Sequence, residues 1–289
     1  MKSFRAGIIT TFLFFSLLFH SPRSIAGTLV QFQTSIGNLV IELYDTDKPV
    51  TSRNFLNYVT NGFYQNAFMH RLEPAFIVQG GGFYVTNRGT TNQSVASIQT
   101  FASITNEFKV GKFYSNTFGT IAMAKTSDPN SATSQFFFNL ANNASSLDST
   151  NNSGGFTVFG HAIAGTNVLH AFTLFSASSP TNSIVNAGSN PLPLSELPVL
   201  TTNVSYTALI YTAIFTFQQP QLRFASLTNG VLQLSWNSNS NLLYHVEMST
   251  NFPPVWHEIG TANGPGSSLS FLRTNRITGA TLYRLRLAY

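Results

Sequence analysis

The sequence predicts a mainly β fold in two parts, an antiparallel sheet carrying a few short helices and then a small β-sandwich. Apolar and polar residues alternate in short segments, and turns rich in Asn, Ser and Gly separate these segments. Only 9% of the 289 residues are charged, whereas phenylalanine occurs 27 times, and such a composition is typical of β-rich proteins. From about Phe215 onward, short strands recur at regular spacing, which indicates a separate sandwich.

The first 26 residues have the features of a secretory signal peptide. Lys2 and Arg5 are basic, residues 7–19 are apolar, and residues 24–26 (SIA) offer small side chains before a cleavage site. The apolar stretch of about 13 residues is shorter than the roughly 20 that a spanning helix needs. We therefore expect a mature chain that begins at Gly27, has no membrane span, and is periplasmic or extracellular.

Periodicity predicts the order of the elements. Residues 28–43 alternate on either side of residues 35–38 (SIGN), whose Gly and Asn suit a tight turn, and predict a hairpin. Apolar residues at helical spacing after Pro49 predict a helix that ends at Asn61 and Gly62. Further strands are predicted at residues 68–79, 119–124, 135–140 and 156–159, a second short helix at 168–172, one or two strands within 199–217, and tail strands at 231–236, 244–248, 255–259, 269–273 and 282–289. The predicted division is a signal peptide at 1–26, a first domain at 27–214 and a β-sandwich at 215–289.

Composition argues against several classes of function. The chain has no cysteine, which excludes disulfides and thiolate metal sites. Its net charge of +5 falls to +2 without the three basic residues of the leader (12 Lys and Arg against 10 Asp and Glu), and it has no basic run. Nucleic-acid binding is therefore disfavoured. The glycine run at residues 80–82 lacks the pattern of a nucleotide-binding loop, and the histidines lack metal-ligand spacing. We expect no cofactor and no metal.

Three segments contain the residues that indicate a function. Residues 64–83 place Arg71 and Gln79 among large apolar side chains, residues 131–140 add Gln135 and three consecutive phenylalanines, and residues 155–160 add two more aromatic residues. This set suits a pocket for an apolar ring beside a peptide group. If the ring is proline, the chemistry allowed is rotation about a peptide bond, which needs no nucleophile or general base.

At these segments the chain resembles the cyclophilin family, and specifically its exported bacterial type. The motifs FMHR, PAFIVQGGGF, GTIAMAKT, SATSQFFFN and FTVFG occur in the family's order, and the resemblance covers about residues 28–206. It implies an eight-stranded antiparallel β-barrel capped by two helices. It also implies peptidyl-prolyl cis-trans isomerase activity on proline-containing unfolded or extended polypeptides. The tail lies outside the resemblance and is fibronectin-III-like only in its strand pattern.

The resemblance also implies roles for individual residues. Arg71 matches the catalytic arginine, and Gln79 matches the glutamine that supports it. The implied proline pocket consists of Phe76, Ile77, Phe137, Leu147 and Phe159, and the implied peptide-binding positions are Ala124, Lys125, Thr126 and Gln135.

The chain departs from the family's pattern at the rim of this pocket. Ser146 replaces an aromatic residue, Phe156 replaces His or Tyr, and Ala75 replaces a Gly. These departures leave an alternative open, a non-catalytic or weakly catalytic protein that binds proline peptides as a chaperone does. Ala75 would be strained if its position requires a positive φ.

Overall fold

The structure is a computed structural model that describes residues 27–188, 194–202, 204–217, 220–227, 231–238, 243–264, 267–274 and 281–288. The predicted signal peptide, residues 1–26, lies outside the described residues.

The described chain is mainly β, as predicted. The first strands are β1 (Leu29–Thr34), β2 (Gly37–Leu43), β3 (Ala67–Phe68), β4 (Arg71–Glu73), β5 (Ile77–Gly80), β6 (Phe83–Thr86) and β7 (Ser94–Ser97). They are followed by β8 (Thr120–Met123), β9 (Phe136–Asn139), β10 (Val158–Ala164), β11 (Thr181–Val185), β12 (Leu197–Thr201) and β13 (Tyr211–Phe217). The helices are α1 (Pro49–Thr60), α2 (Ala144–Leu147) and α3 (Thr166–Phe172), with a 3-10 turn at Tyr206–Ala208. The tail contains β14 (Arg223–Ser226), β15 (Leu232–Asn237), β16 (Leu243–Ser249), β17 (His257–Asn263), β18 (Ser268–Arg273) and β19 (Leu282–Ala288).

Eleven strands form one curled, antiparallel half-barrel in the order β4-β5-β9-β8-β10-β2-β1-β13-β3-β6-β7. The predicted hairpin is β1 paired with β2, from Leu29 opposite Glu42 to Thr34 opposite Gly37. Eleven strands are present where eight were expected, partly because the chain between residues 66 and 86 turns repeatedly. Ala75 and Gly81 have positive φ, and each lies in a turn that follows a strand, β4 and β5 respectively.

The concave face of the sheet encloses the main core. The Phe32 ring packs edge-on against Phe136 and Phe138, with centroids 5.5 and 5.1 Å apart. From α1, Phe55 contacts Phe159 at 5.3 Å, and all five rings are fully buried. Burying each phenylalanine contributes about 1.5–3 kcal/mol, so this cluster holds α1 against the sheet.

A distant carboxylate caps the first turn of α1. Pro49 begins the helix, and Lys48 before it makes no side-chain cap. Instead, Glu107 accepts hydrogen bonds from the backbone N–H of Val50 (3.1 Å) and of Thr51 (2.7 Å). Free N–H groups at a helix N-terminus favour an anionic acceptor, so this contact fixes the helix to the 104–110 loop.

Two three-stranded sheets form the tail, in the orders β14-β15-β18 and β17-β16-β19. Between them Trp236 and Tyr244 pack with centroids 5.7 Å apart. Leu29 and Val40 belong to the same apolar cluster, so the tail packs on the outer face of the β1–β2 hairpin. Five of these six tail strands were predicted, although β17 begins and ends later than the predicted 255–259, and β14 was not predicted. The domain boundaries stay a prediction, and residue 214 lies within β13.

None of the helices among the described residues is both long enough and apolar enough to span a membrane.

Candidate active site

Strand register brings Arg71 onto the same face as the predicted pocket. Arg71 lies opposite Gln79 in the β4–β5 pair, and Gln79 lies opposite Phe137 in the β5–β9 pair. The row continues through Ala122 on β8 to Val158 on β10. Residues in register across a sheet present their side chains on one face, so this row forms a continuous surface on the convex side of the sheet.

The apolar part of this surface is a separate buried cluster. Its fully buried members are Ile77, Ala122, Phe137, Leu147 and Val158. Phe76, Ala124 and Phe156 pack against them, together with Tyr44 and Tyr114. The rings of Phe137 and Phe156 lie 5.8 Å apart at 69°. Five of the predicted binding residues, Phe76, Ile77, Ala124, Phe137 and Leu147, are therefore in one place.

Phe159 is not part of this pocket, and the prediction that it lines the pocket is wrong. Its side chain is fully buried in the main core against Phe55. Successive residues of a strand point to opposite faces, and on β10 it is Val158 that faces the pocket, opposite Ala122. Val158 takes the position expected for Phe159.

Two glutamines are bonded to each other between Arg71 and the pocket. The side-chain amide of Gln79 donates to Oε1 of Gln135 at 2.7 Å, and the backbone oxygen of Gln135 accepts from the N–H of Ala124 at 2.9 Å. A β-carbon at Gly82 would lie 2.9 Å from the His70 ring and 3.2 Å from the Gln135 side chain. The glycine therefore permits the close packing that positions both side chains.

His70, next to Arg71, is almost completely buried. Burial is the main cause that lowers its pKa from 6.5 to about 4; a hydrogen bond with Gln135 partly opposes the shift, and the Arg71 charge adds to it. Desolvation disfavours the charged imidazolium. His70 is therefore neutral at physiological pH and adds no positive charge beside Arg71.

Two carboxylates hold the Arg71 guanidinium. Its Nη2 lies 2.7 Å from Oε2 of Glu73, and its Nε lies 2.6 Å from Oε2 of Glu196. The Arg71 side chain is 35% exposed, so the guanidinium remains at the surface beside the pocket. Neither glutamate was among the predicted site residues.

The other end of the pocket carries Lys125 and Thr126. The Lys125 ammonium lies 3.9 Å from the centre of the Phe156 ring and donates to the Ser153 carbonyl. Burial lowers its pKa to about 8, and Asp128 partly opposes this. Thr126 is exposed and bonded to Ser131, and Ser146 is exposed, so the rim has no aromatic wall at that position.

One of the two missed glutamates had a signal in the sequence. Glu73 follows Arg71 by two residues in a segment with strand character, and residues i and i+2 share a face. Glu196 had none, because 125 positions separate it from Arg71 in the sequence. Among the described residues, no group of three or more His, Asp and Glu side chains is placed to hold a metal ion.

Comparison with known proteins identifies a family that the chain matches. A sequence model of the family described as cyclophilin type peptidyl-prolyl cis-trans isomerase/CLD matches residues 29–189. A peptidyl-prolyl cis-trans isomerase of Acinetobacter baylyi is 43% identical over 149 residues, which cover 52% of this chain and 73% of the relative. Peptidyl-prolyl cis-trans isomerase A of Dickeya dadantii is 39% identical over 169 residues, covering 58% of this chain and 82% of the relative.

A solved cyclophilin type isomerase of Cryptosporidium parvum aligns with a TM-score of 0.42 at 23% identity, over 67% of this chain and 99% of that one. A second structure of that protein, in the presence of the dipeptide Ala-Pro, aligns with a TM-score of 0.41 at 22% identity, over 66% of this chain and 99% of that one.

The fold and the site define a half-barrel protein with an apolar cluster beside an arginine. The chain belongs to the cyclophilin type peptidyl-prolyl cis-trans isomerase family. Relatives at 38–43% identity are named peptidyl-prolyl cis-trans isomerases, so the chain is an enzyme of this class, which accelerates rotation about X-Pro peptide bonds.

Proposed function

We propose that Arg71 accelerates this rotation by stabilising the twisted amide while the apolar cluster holds the proline ring. The observation that carries the proposal is the strand register, which aligns Arg71 with Gln79 and Phe137 on one face of the sheet. Phe76, Ile77 and Leu147 complete an apolar surface beside it. A proline ring packed on these side chains would leave its peptide nitrogen next to the guanidinium.

Bond rotation needs electrostatic help rather than covalent chemistry. The barrier is roughly 18–20 kcal/mol because twisting the bond destroys amide resonance. In the twisted state the proline nitrogen regains a lone pair, and an N–H of Arg71 can donate to it. This interaction is absent from the planar ground state, so it favours the transition state selectively. Each 1.4 kcal/mol of such preference accelerates rotation about tenfold.

The neutral state of His70 supports this role for Arg71. His70 has its pKa lowered to about 4 by burial, so at neutral pH the adjacent guanidinium carries the positive charge of this strand segment. Gln79 and Gln135 bond to each other at 2.7 Å and so present a fixed polar surface between Arg71 and the pocket. A peptide backbone lying across Ala124, Lys125 and Thr126 would extend from that surface.

We further propose that the substrates are unfolded or extended proline-containing segments of exported proteins. The leader-like first 26 residues and the low charged fraction of 9% support an exported enzyme. Expression of the full chain with a C-terminal tag, followed by cell fractionation and N-terminal sequencing, tests this. A tagged chain that begins at Gly27 outside the cytoplasm is expected, and an uncleaved cytoplasmic chain would contradict it.

A protease-coupled prolyl-peptide assay tests the role of Arg71. Arg71→Ala removes the proposed donor and should lower kcat/KM by about 100-fold or more, since losing one donor to a transition state has effects of this size. Arg53→Ala is the matched control, because Arg53 is exposed on α1 and should leave the rate unchanged. Equal rates for Arg71→Ala and the wild type would refute the assignment.

A further inference from the structure

The guanidinium of Arg71 is held at two of its edges by carboxylates from different parts of the chain. Glu73 lies on β4 with Arg71, and Glu196 lies in the turn immediately before β12. The contacts are 2.7 Å to Nη2 and 2.6 Å to Nε. Glu196 lies beyond residue 189, where the match to the family ends. One of the two contacts therefore comes from a segment outside that match.

Main-chain contacts fix the position of Glu196. The backbone N–H of Leu72 donates to the carbonyl of Glu196 at 2.8 Å. The following residues, Leu197 and Val199, are almost fully buried, and β12 pairs with β11. The carboxylate thus extends from an anchored backbone, on the strand edge that also presents Arg71.

These ion pairs contribute little to folding, but they restrict Arg71. The side chains of Arg71, Glu73 and Glu196 are 35%, 46% and 42% exposed, and pairs this exposed add little stability because solvent screens them. An arginine side chain has several rotatable bonds, and holding a reacting group in its productive geometry lowers the entropic part of a barrier. Since a guanidinium has five N–H donors, two contacts leave three N–H groups for a substrate.

We propose that Glu196 is a positioning residue for Arg71, acting together with Glu73. This inference rests on the proposed role of Arg71. The two carboxylates orient the guanidinium before substrate arrives, so that twisting of the X-Pro bond requires no reorientation of the donor. The two negative charges also reduce the positive potential at the site. If this were their only effect, removing Glu196 would accelerate the enzyme. We assign the larger effect to orientation, because solvent exposure screens the charge term.

Steady-state kinetics with kcat and KM determined separately tests the proposal on the full chain. Glu196→Ala should lower kcat about tenfold and change KM less than twofold, because orientation matters more in the transition state than in binding. Glu196→Gln keeps an oxygen that can accept from Nε–H, and it should retain at least half of the wild-type kcat. Glu258→Ala removes an exposed, ion-paired carboxylate from the tail and should leave both constants unchanged.

Thermal unfolding of each variant checks that it is folded, and the Arg71→Ala background separates the two proposals. Glu196→Ala should have no further effect on the rate in that background. If Arg71→Ala itself has the wild-type rate, the proposed function fails. If Arg71→Ala is slow while a folded Glu196→Ala has an unchanged or higher kcat, the positioning role is overturned and the proposed function stands. Failure of Glu196→Gln to retain activity would likewise contradict orientation by an acceptor at this position.

Discussion

Protonation of His70 should destabilise the protein between about pH 6.5 and pH 4. In the folded chain burial lowers the pKa of His70 from 6.5 to about 4. Above pH 6.5 the imidazole is neutral in both states, so its contribution to the free energy of unfolding is fully present. As the pH falls below 6.5, the unfolded chain binds a proton that the folded chain still excludes. The free energy of unfolding therefore decreases from about pH 6.5 downward, and the loss is complete once the pH has fallen through the folded pKa of about 4.

The size of the effect follows from the shift. The difference between a pKa of 6.5 and one of about 4 corresponds to roughly 3–4 kcal/mol when the loss is complete, at about 1.4 kcal/mol per pKa unit. Between pH 7 and pH 4.5 about 2 kcal/mol of this is lost, because the folded imidazole is still mostly neutral at pH 4.5. Stabilities of small proteins are about 5–15 kcal/mol, so the change is large enough to measure.

Urea unfolding of the wild type and His70→Gln at a series of pH values measures this contribution. Glutamine stays neutral and can keep a hydrogen bond with Gln135, so the variant should lose about 2 kcal/mol less than the wild type over this range. Carboxylates titrate in both proteins, and their effect cancels in the difference. His257→Gln, on the exposed face of β17, is the matched control and should follow the wild type. Parallel curves for the wild type and His70→Gln would refute the reasoning.

Two further predictions concern Ala75 and Lys125. Ala75 has a φ of 55°, and because only glycine adopts this conformation without strain, Ala75→Gly should raise the free energy of unfolding by about 0.5–1 kcal/mol. Ala171→Gly in α3 should lower it by a similar amount, and the same sign for both in urea unfolding would contradict the argument. Burial lowers the pKa of Lys125 to about 8, so at about pH 8 roughly half of this amine is unprotonated, against under about 1% for an ordinary lysine. Trace acetylation followed by mass spectrometry should modify Lys125 at least several-fold faster than the exposed Lys109, and slower modification of Lys125 would count against the lowered pKa.

The elements that the sequence predicted correctly are those with a local signal. The β1–β2 hairpin follows from alternation on either side of residues 35–38, where the structure has its turn at Ser35 and Ile36. Helix α1 follows from Pro49 and apolar residues at helical spacing. The two segments around Arg71 and Phe137 also had this local character. A short strand carries its own pattern, so these elements could be located without knowledge of their partners.

The motifs alone did not predict every residue of the pocket correctly. Phe159 and Val158 are both apolar neighbours on β10, and the sequence does not reveal which one faces the pocket. The pairing of Val158 with Ala122 decides it, and Phe159 is turned into the main core. The condition stated for strain at Ala75 is met, since its φ is positive. This position was accessible to sequence reasoning because glycine is the usual residue there.

By itself, the sequence determined the mainly β class, the hairpin and helix at the start of the first domain, and the family. It also predicted Arg71 as the catalytic residue and located most of the apolar cluster beside it. These follow from periodicity and from motifs that lie close together along the chain. Only the tertiary structure decided the order of the eleven strands, the exclusion of Phe159 from the pocket, and the contact of Glu196 with Arg71. The physical reason is that pairing between strands distant in sequence depends on how the whole core packs. No local pattern in the sequence predicts a contact between Arg71 and Glu196, which lie 125 positions apart.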